Sequence, residues 1–339
     1  MVKILMALCA IGLVLPLGAE ITITSSTVNL SGANAQLVSK LDSTLDELFY
    51  GIASLAGPGI VNAAAFSSTI GVQRQQAEVP RFQLEPSVGL IVPSKGKGDE
   101  RLSSFPLYAV NVVGGFRIDE KTAMQLRAFY LPEMSFNVRA TRLSIQPYNL
   151  GATLTRQVKA PGTEWYNPGI ITPLDLAYMH GSLAAAFSGT AKDISFDPTG
   201  DGSQGTAKAD FTYTDDFRLN WNVYSFTSGL IFVKPFLSVF TARLGVLASL
   251  HLGNSSLTNK ANGTMLVTAS AASGANEFKV NDTANIEVRN AANFRPVLIS
   301  NQLSLGLGIN LGGATLNLDL TQNLQVNATA IIVQFGCWL

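Results

Sequence analysis

The stretch Val297-Leu298-Ile299-Ser300-Asn301-Gln302-Leu303-Ser304-Leu305-Gly306-Leu307-Gly308-Ile309-Asn310-Leu311 changes chemistry at every second residue. One parity reads Val297, Ile299, Asn301, Leu303, Leu305, Leu307, Ile309, Leu311, and the other Leu298, Ser300, Gln302, Ser304, Gly306, Gly308, Asn310. Successive side chains of a β-strand leave opposite faces of the pleat, so this alternation is a strand pattern. Two more segments continue it. Ala314, Leu316, Leu318 and Leu320 oppose Thr315, Asn317, Asp319 and Thr321, and the chain then runs through Thr329, Ile331, Val333 and Phe335. The polar parity carries hydroxyls, amides and glycines where a solvated sheet face would carry Lys and Glu. That combination suits a strand with lipid on one side and a crowded polar lumen on the other.

Composition points the same way. Of 339 residues, 14% are charged, 47% are apolar and the formal net charge is zero, against about 25% charged in an ordinary soluble domain. Beyond the N-terminus no apolar run approaches the roughly 20 residues of a membrane helix. A closed β-barrel is the other way to satisfy backbone polar groups in lipid. The balanced charge gives no basic footprint for nucleic acid. A soluble periplasmic barrel or sandwich would also alternate, but the low charge on the polar parity and the aromatics near strand ends favour the membrane reading.

The first residues read as an export signal: Lys3, an apolar core from Ile4 to Leu17, and the small-residue site Leu17-Gly18-Ala19 before Glu20. Cleavage there leaves Cys337 as the single mature cysteine, which excludes a disulfide framework and a cysteine zinc cluster. After a β-prone lead-in from Ile21 to Gly32, Leu37, Leu41, Leu45, Leu48, Phe49 and Ile52 fall on one helical stripe. This predicts an amphipathic helix that plugs or caps the barrel. Gly57-Pro58-Gly59 ends it, and Ile60 to Gly71 reads as a short second helix or a loop.

Strands follow at Phe82–Val92, Phe105–Ile118, Thr122–Leu131, Phe136–Ile145 and Leu150–Val158, and then less cleanly from Leu174 to Gly189. Lys159 to Pro173 reads as a loop. Phe217–Val233 and Leu237–Leu252 form a long hairpin turning at Lys234-Pro235. In its second strand Phe240, Ala242, Leu244, Val246 and Leu250 oppose Thr241, Arg243, Ser249 and His251. Asn254 to Asn293 is a polar excursion, read as a long projecting hairpin or external loop.

Three segments resemble an uncharacterised family of exported outer-membrane-type β-barrel proteins of diderm bacteria: Leu126-Arg127-Ala128-Phe129-Tyr130-Leu131-Pro132, the Leu150-Gly151 strand, and Pro173-Leu174-Asp175-Leu176-Ala177. That resemblance implies an outer-membrane barrel and no more. More distantly, the helical N-terminus before the strands is similar to the hatch of long-chain fatty-acid channels. Their hatch carries an Asn-Pro-Ala element, where this chain has Asn62-Ala63-Ala64 without the proline.

Catalytic chemistry has little to stand on. His180 and His251 are the only histidines, and neither has metal-ligand spacing with other donors. His180-Gly181-Ser182 lacks a third group to orient a base. Asp197-Pro198-Thr199-Gly200-Asp201-Gly202 reads as a hydrated turn without the spacing of a calcium loop.

The resulting expectation is an all-β protein: an antiparallel transmembrane β-barrel of about 12 strands (range 10–14) with an N-terminal amphipathic helix. Residues 1–19 are the signal, 20–79 the plug or cap, and 80–339 the barrel. The expected role is a channel or transporter for small or hydrophobic solutes in the outer membrane of a diderm bacterium. No cofactor, metal or enzymatic activity is expected; the partners are outer-membrane lipid, the barrel-insertion machinery and a small solute. Arg139, Arg243, His251, Asn310, Asn317 and Asp319 are the candidate lumen residues. The alternatives are a non-conducting adhesin or structural protein of the outer membrane, and a soluble periplasmic β-protein.

Overall fold

The structure, a computed structural model, describes residues 21–31, 58–72, 82–93, 107–130, 132–138, 141–196, 207–237, 239–270, 280–281, 283–326 and 328–338. They form a helix, α1, at 58–69 and thirteen strands. These are β1 (Ile21–Ser31), β2 (Phe82–Pro93), β3 (Leu107–Arg117), β4 (Thr122–Tyr130), β5 (Met134–Val138), β6 (Thr141–Lys159), β7 (Gly169–Phe196), β8 (Ala207–Phe236), β9 (Phe240–Ser270), β10 (Thr283–Phe294), β11 (Ile299–Asn310), β12 (Ala314–Asn323) and β13 (Ala328–Trp338).

Antiparallel pairing closes a ring of ten: β2, β3, β4, β6, β7, β8, β9, β11, β12, β13 and back to β2. An even strand number lets both ends of a barrel lie on one side of the membrane. Two ring strands continue past a break. β5 follows β4 along the edge of β6, and β10 precedes β11 along the edge of β9. β1 pairs with the far edge of β10.

The two rims differ. One carries the connections 118–121, 160–168, 237–239 and 311–313, with the start of β2 and the end of β13 beside them. The opposite rim carries 94–106, 197–206 and 271–282, and there the upper halves of β6 to β9, with β1, β5 and β10, rise as a crown. Residues 324–326 form a turn on that rim.

Burial shows which solvent each face meets. On β2, Phe82, Leu84 and Val88 point outward and are exposed, while Gln83, Glu85 and Ser87 are buried inside. Leu305 on β11 is 59% exposed and its neighbour Ser304 4%, the reverse of a water-soluble sheet. Along β9 the outward row is Phe240, Leu244, Val246, Leu250 and Leu252, and beyond Leu252 it becomes Asn254, Thr258, Lys260 and Asn262. Twelve steps at about 3.3 Å, tilted by about 40°, span roughly 30 Å of membrane. On β8 the same change falls between Tyr224 and Asn222, and the register Tyr130–Tyr148–His180–Asn222–Asn254 continues the level across five strands. Tyrosines there, and Phe82, Phe116, Phe236, Phe240 and Phe335 at the short-turn end, form the two aromatic girdles of a membrane barrel. The protein is an all-β transmembrane barrel.

Local readings needed correction where proline was taken as punctuation. Phe136–Ile145 is not one strand, because β5 ends at Val138 and β6 begins at Thr141 and runs unbroken through Pro147. Pro147 lacks an N–H and would weaken a ladder. It sits where β4 has ended at Tyr130↔Tyr148 and β5 has only begun at Met134↔Ile145, so no partner asks for that donor. The β8–β9 hairpin likewise turns at 237–239, two residues after Pro235, with Leu237 at φ 53°. The loop read from Lys159 to Pro173 is shorter, since β7 starts at Gly169. The excursion from Asn254 to Asn293 is the projecting β9–β10 hairpin.

Candidate functional site: a lumen occupied by a helix

α1 lies inside the barrel. Pro58 opens it, where a missing N–H costs nothing, and Gly71 at φ 112° follows its last turn. Its residues are small or apolar, and Val61, Ala64, Phe66, Ser68 and Thr69 are all fully buried. A helix buried around its whole circumference has no polar face to give it a stripe. At 12 residues it is about 18 Å long. Its upper part packs against Trp221, Val223, Leu257 and Phe294 from the crown end. Val72 below it joins Ile171, Ile231, Val233 and Leu247 near the short-turn rim.

Between these apolar layers the contacts are polar. The Asn62 Oδ1 accepts the Val297 backbone N–H at 2.8 Å. The Ser68 hydroxyl donates to Ser225 Oγ at 2.6 Å, and Gln302 Nε2 donates to Thr69 Oγ1 at 2.9 Å. Ser225 in turn meets His251 Nδ1 at 2.7 Å, and His251 Nε2 meets Ser300 Oγ at 2.9 Å. The imidazole is thus a bridge from β8 through β9 to β11.

Two ion pairs line the wall. Arg127 on β4 holds Asp175 on β7 through both carboxylate oxygens, at 2.6 and 2.7 Å, across the intervening β6. Thr153 on β6 donates to the same carboxylate at 2.6 Å, and Arg127 Nη2 also donates to the Ser68 carbonyl of α1 at 2.7 Å. On the far side Arg243 reaches Asn317 Oδ1 at 2.9 Å and Asp319 Oδ1 at 3.0 Å. Both pairs are almost wholly buried, with side-chain exposures of 2%/0% and 3%/1%. Buried charges survive only when paired and hydrogen-bonded.

Glycines seat these side chains. A Cβ on Gly151 would lie 2.6 Å from the Arg127 guanidinium carbon, and one on Gly306 2.1 Å from Asp319 Oδ1. The glycines of the polar parity are where a neighbouring strand's long side chain lies flat along the wall.

Of the expected lumen residues, Arg243, His251, Asn317 and Asp319 are buried inside, and all but His251 belong to one cluster. Asn310 sits at the end of β11, exposed, with its side chain accepting the Gly312 N–H at 3.1 Å across the turn. Arg139 and the stripe Leu37, Leu41, Leu45, Leu48, Phe49, Ile52 lie outside the described residues, as does the turn from Asp197. His180 faces outward at the membrane boundary, against Asn222 Oδ1 at 2.5 Å, and Cys337 is exposed on β13. Among the described residues no three His, Cys, Asp or Glu gather as a metal site.

The strongest polar contact was missed from sequence. Arg127 and Asp175 each stand on the polar parity of a strand, and each lies inside a segment that carried the family resemblance. Alternating parity marks both as inward-facing, but only the register through β6 brings them together.

No protein-family model matches the chain, and no curated protein does. Among solved structures, the chain is similar to the translocator domain of the autotransporter NalP from Neisseria meningitidis, at 9% identity and TM-score 0.34 over 85% of this chain and 99% of that one. It is similar to CarO of Acinetobacter baumannii, at 12% identity and TM-score 0.30 over 65% and 99%. A FadL homologue of Pseudomonas aeruginosa matches at 9% identity and TM-score 0.28 over 83% and 97%.

Proposed function

We propose that this protein is an outer-membrane channel for small or hydrophobic solutes whose lumen is closed by α1. In this reading the signal 1–19 is removed on export, the insertion machinery places the barrel in outer-membrane lipid, and 20–79 acts as the plug segment. The observation that carries it is how α1 is held. Its polar contacts with the wall are four hydrogen bonds, one each at Asn62 and Thr69 and two at Ser68, whose hydroxyl meets Ser225 and whose carbonyl accepts from Arg127, while the ring of ten strands closes without it. A removable element inside a closed wall is what gating needs.

Planar-bilayer conductance tests this. The Ser68 and Ser225 oxygens are 2.6 Å apart, within reach of a disulfide between the two positions. Ser68→Cys/Ser225→Cys should be silent when oxidised and recover the parent's openings with reductant, whereas deletion of 58–69 should raise conductance. Unchanged conductance on deletion counts against a plug.

The crown favours a second reading, a non-conducting surface protein that presents β7 to β10 to a partner. Liposome swelling separates the two, since a non-conducting barrel passes no sugar. The exposed Trp165 and Tyr166 belong to the opposite, short-turn rim and would not share that surface.

A further inference from the structure

The barrel wall has a seam. β3 and β4 pair from Arg117↔Ala123 up to Val112↔Ala128. Beyond that point, among the described residues, β3 continues to Leu107 paired with β2 and β4 continues to Tyr130 paired with β6, with no further pairing between the two. Paired strands do not part inside a membrane without cost, because each peptide group released from the ladder faces lipid. At this place the outer wall carries a groove of about 500 Å³ lined by Val112, Ala128, Phe129, Tyr130, Tyr148 and Leu150. Phe129 belongs by parity to the inner row, yet it lines this outer groove.

The groove is closed toward the lumen. Behind it Asn149 Nδ2 donates to Asn111 Oδ1 at 3.1 Å, joining β6 to β3 across the intervening β4. Two register positions lower, Arg127 is tied to Asp175 and to α1. It is a site on the wall, and no passage through it is required. Its upper lip is polar and lies at the membrane boundary. Gln146 Nε2 reaches Tyr130 Oη at 3.5 Å, the Tyr148 hydroxyl donates to that of Tyr178 at 3.3 Å, and Tyr178 donates to Asn222 Oδ1 at 3.0 Å.

We propose that the seam is a binding site for one membrane lipid of the long-hairpin leaflet, with an acyl chain in the groove and the head group on the tyrosine lip. The occupant follows from position: the mouth opens into the outward apolar band, so the molecule at hand there is lipid. Its size lies within the range of small-molecule sites. The lip supplies hydroxyl and amide groups at head-group height, and the unpaired edges of β3 and β4 supply peptide groups for an ester or hydroxyl. The site rests on the transmembrane barrel alone and stands or falls apart from conduction.

The test uses the full chain in vesicles of phosphatidylethanolamine and phosphatidylglycerol with a trace of phosphatidylethanolamine bearing a diazirine midway along one acyl chain. After illumination, adducts are mapped by peptide mass spectrometry. Labelling of Val112, Ala128, Phe129 and Leu150 should exceed that of the outward row Leu303, Leu305, Leu307 by about tenfold. Ala128→Trp, which fills the groove, should abolish the excess while the heat-modifiable gel shift persists; Val112→Trp replaces it if that variant fails to fold. Tyr148→Phe/Tyr178→Phe should lower the excess several-fold. Even labelling of both rows, or an excess untouched by the tryptophan variants, overturns the site. An excess untouched by the tyrosine variant overturns the head-group lip.

Discussion

The barrel's interior is decided by a few side chains whose partners stand on other strands. Arg127 and Asp175 are both below 3% exposed at the side chain, so removing one leaves a buried charge. Arg127→Ala should lower stability by about 3–5 kcal/mol, while Arg127→Met/Asp175→Leu should recover most of that. Urea titration of the gel shift in detergent reads both. Gly306→Ala places a methyl on Asp319 Oδ1 and should cost about 1–3 kcal/mol by the same measurement. Gly114, whose Cβ position has nothing within 4 Å, should tolerate alanine there. Asp215, in the crown, is a different case. Burial, with Asp216 beside it, pushes its carboxyl up to about 6, and its Oδ1 has no hydrogen-bond partner. Because the folded value lies above the unfolded one, crown stability should fall as pH rises from about 4 to about 6 and level off above. Asp215→Asn should flatten that slope and protect the crown at pH 7, measured by hydrogen exchange of β8.

At the scale of elements, strands were legible, and α1 was legible only as a short helix or a loop over Ile60 to Gly71. Period-two alternation survives in β2, β9, β11 and β12 because each face meets one solvent along the whole span. β7 looked unclean because it crosses from membrane into crown, so its outward row changes from Leu174 and Leu176 to Tyr178, His180 and polar residues. α1 has no amphipathic signature because the lumen buries it on all sides; its stretch was readable only as small residues between glycines. Its run of small residues around Phe66 is the signal available, since a crowded lumen leaves room for few large side chains. The breaks between β4 and β5 and between β10 and β11 mark where the crown separates from the ring; Pro132 lies in the first, and Pro147 on β6 lies opposite it.

For the whole molecule, the order of elements sets a direction. β1 pairs with β10 in the crown, α1 occupies the lumen, and β2 begins at the short-turn rim beside Phe116 and Trp338. The chain therefore descends through its own barrel before forming it. In cells, with Cys337→Ser as background, Asn262→Cys, at an exposed position on the crown part of β9, should react with a membrane-impermeant maleimide from outside, and Gly312→Cys only after the outer membrane is permeabilised. The opposite pattern would invert the orientation.

Sequence alone determined the kind of wall: alternation with a polar parity low in charge, a low charge content overall and no long apolar run beyond the N-terminus leave a lipid-facing barrel, because side-chain periodicity is a local property of the backbone. It also placed Arg243, Asn317 and Asp319 on the inner parity. Tertiary structure alone decided the strand number, the seam between β3 and β4, the pairing of Arg127 with Asp175 and the helix that fills the lumen. Each depends on register between segments far apart in the chain, and register is set by closure of the whole ring.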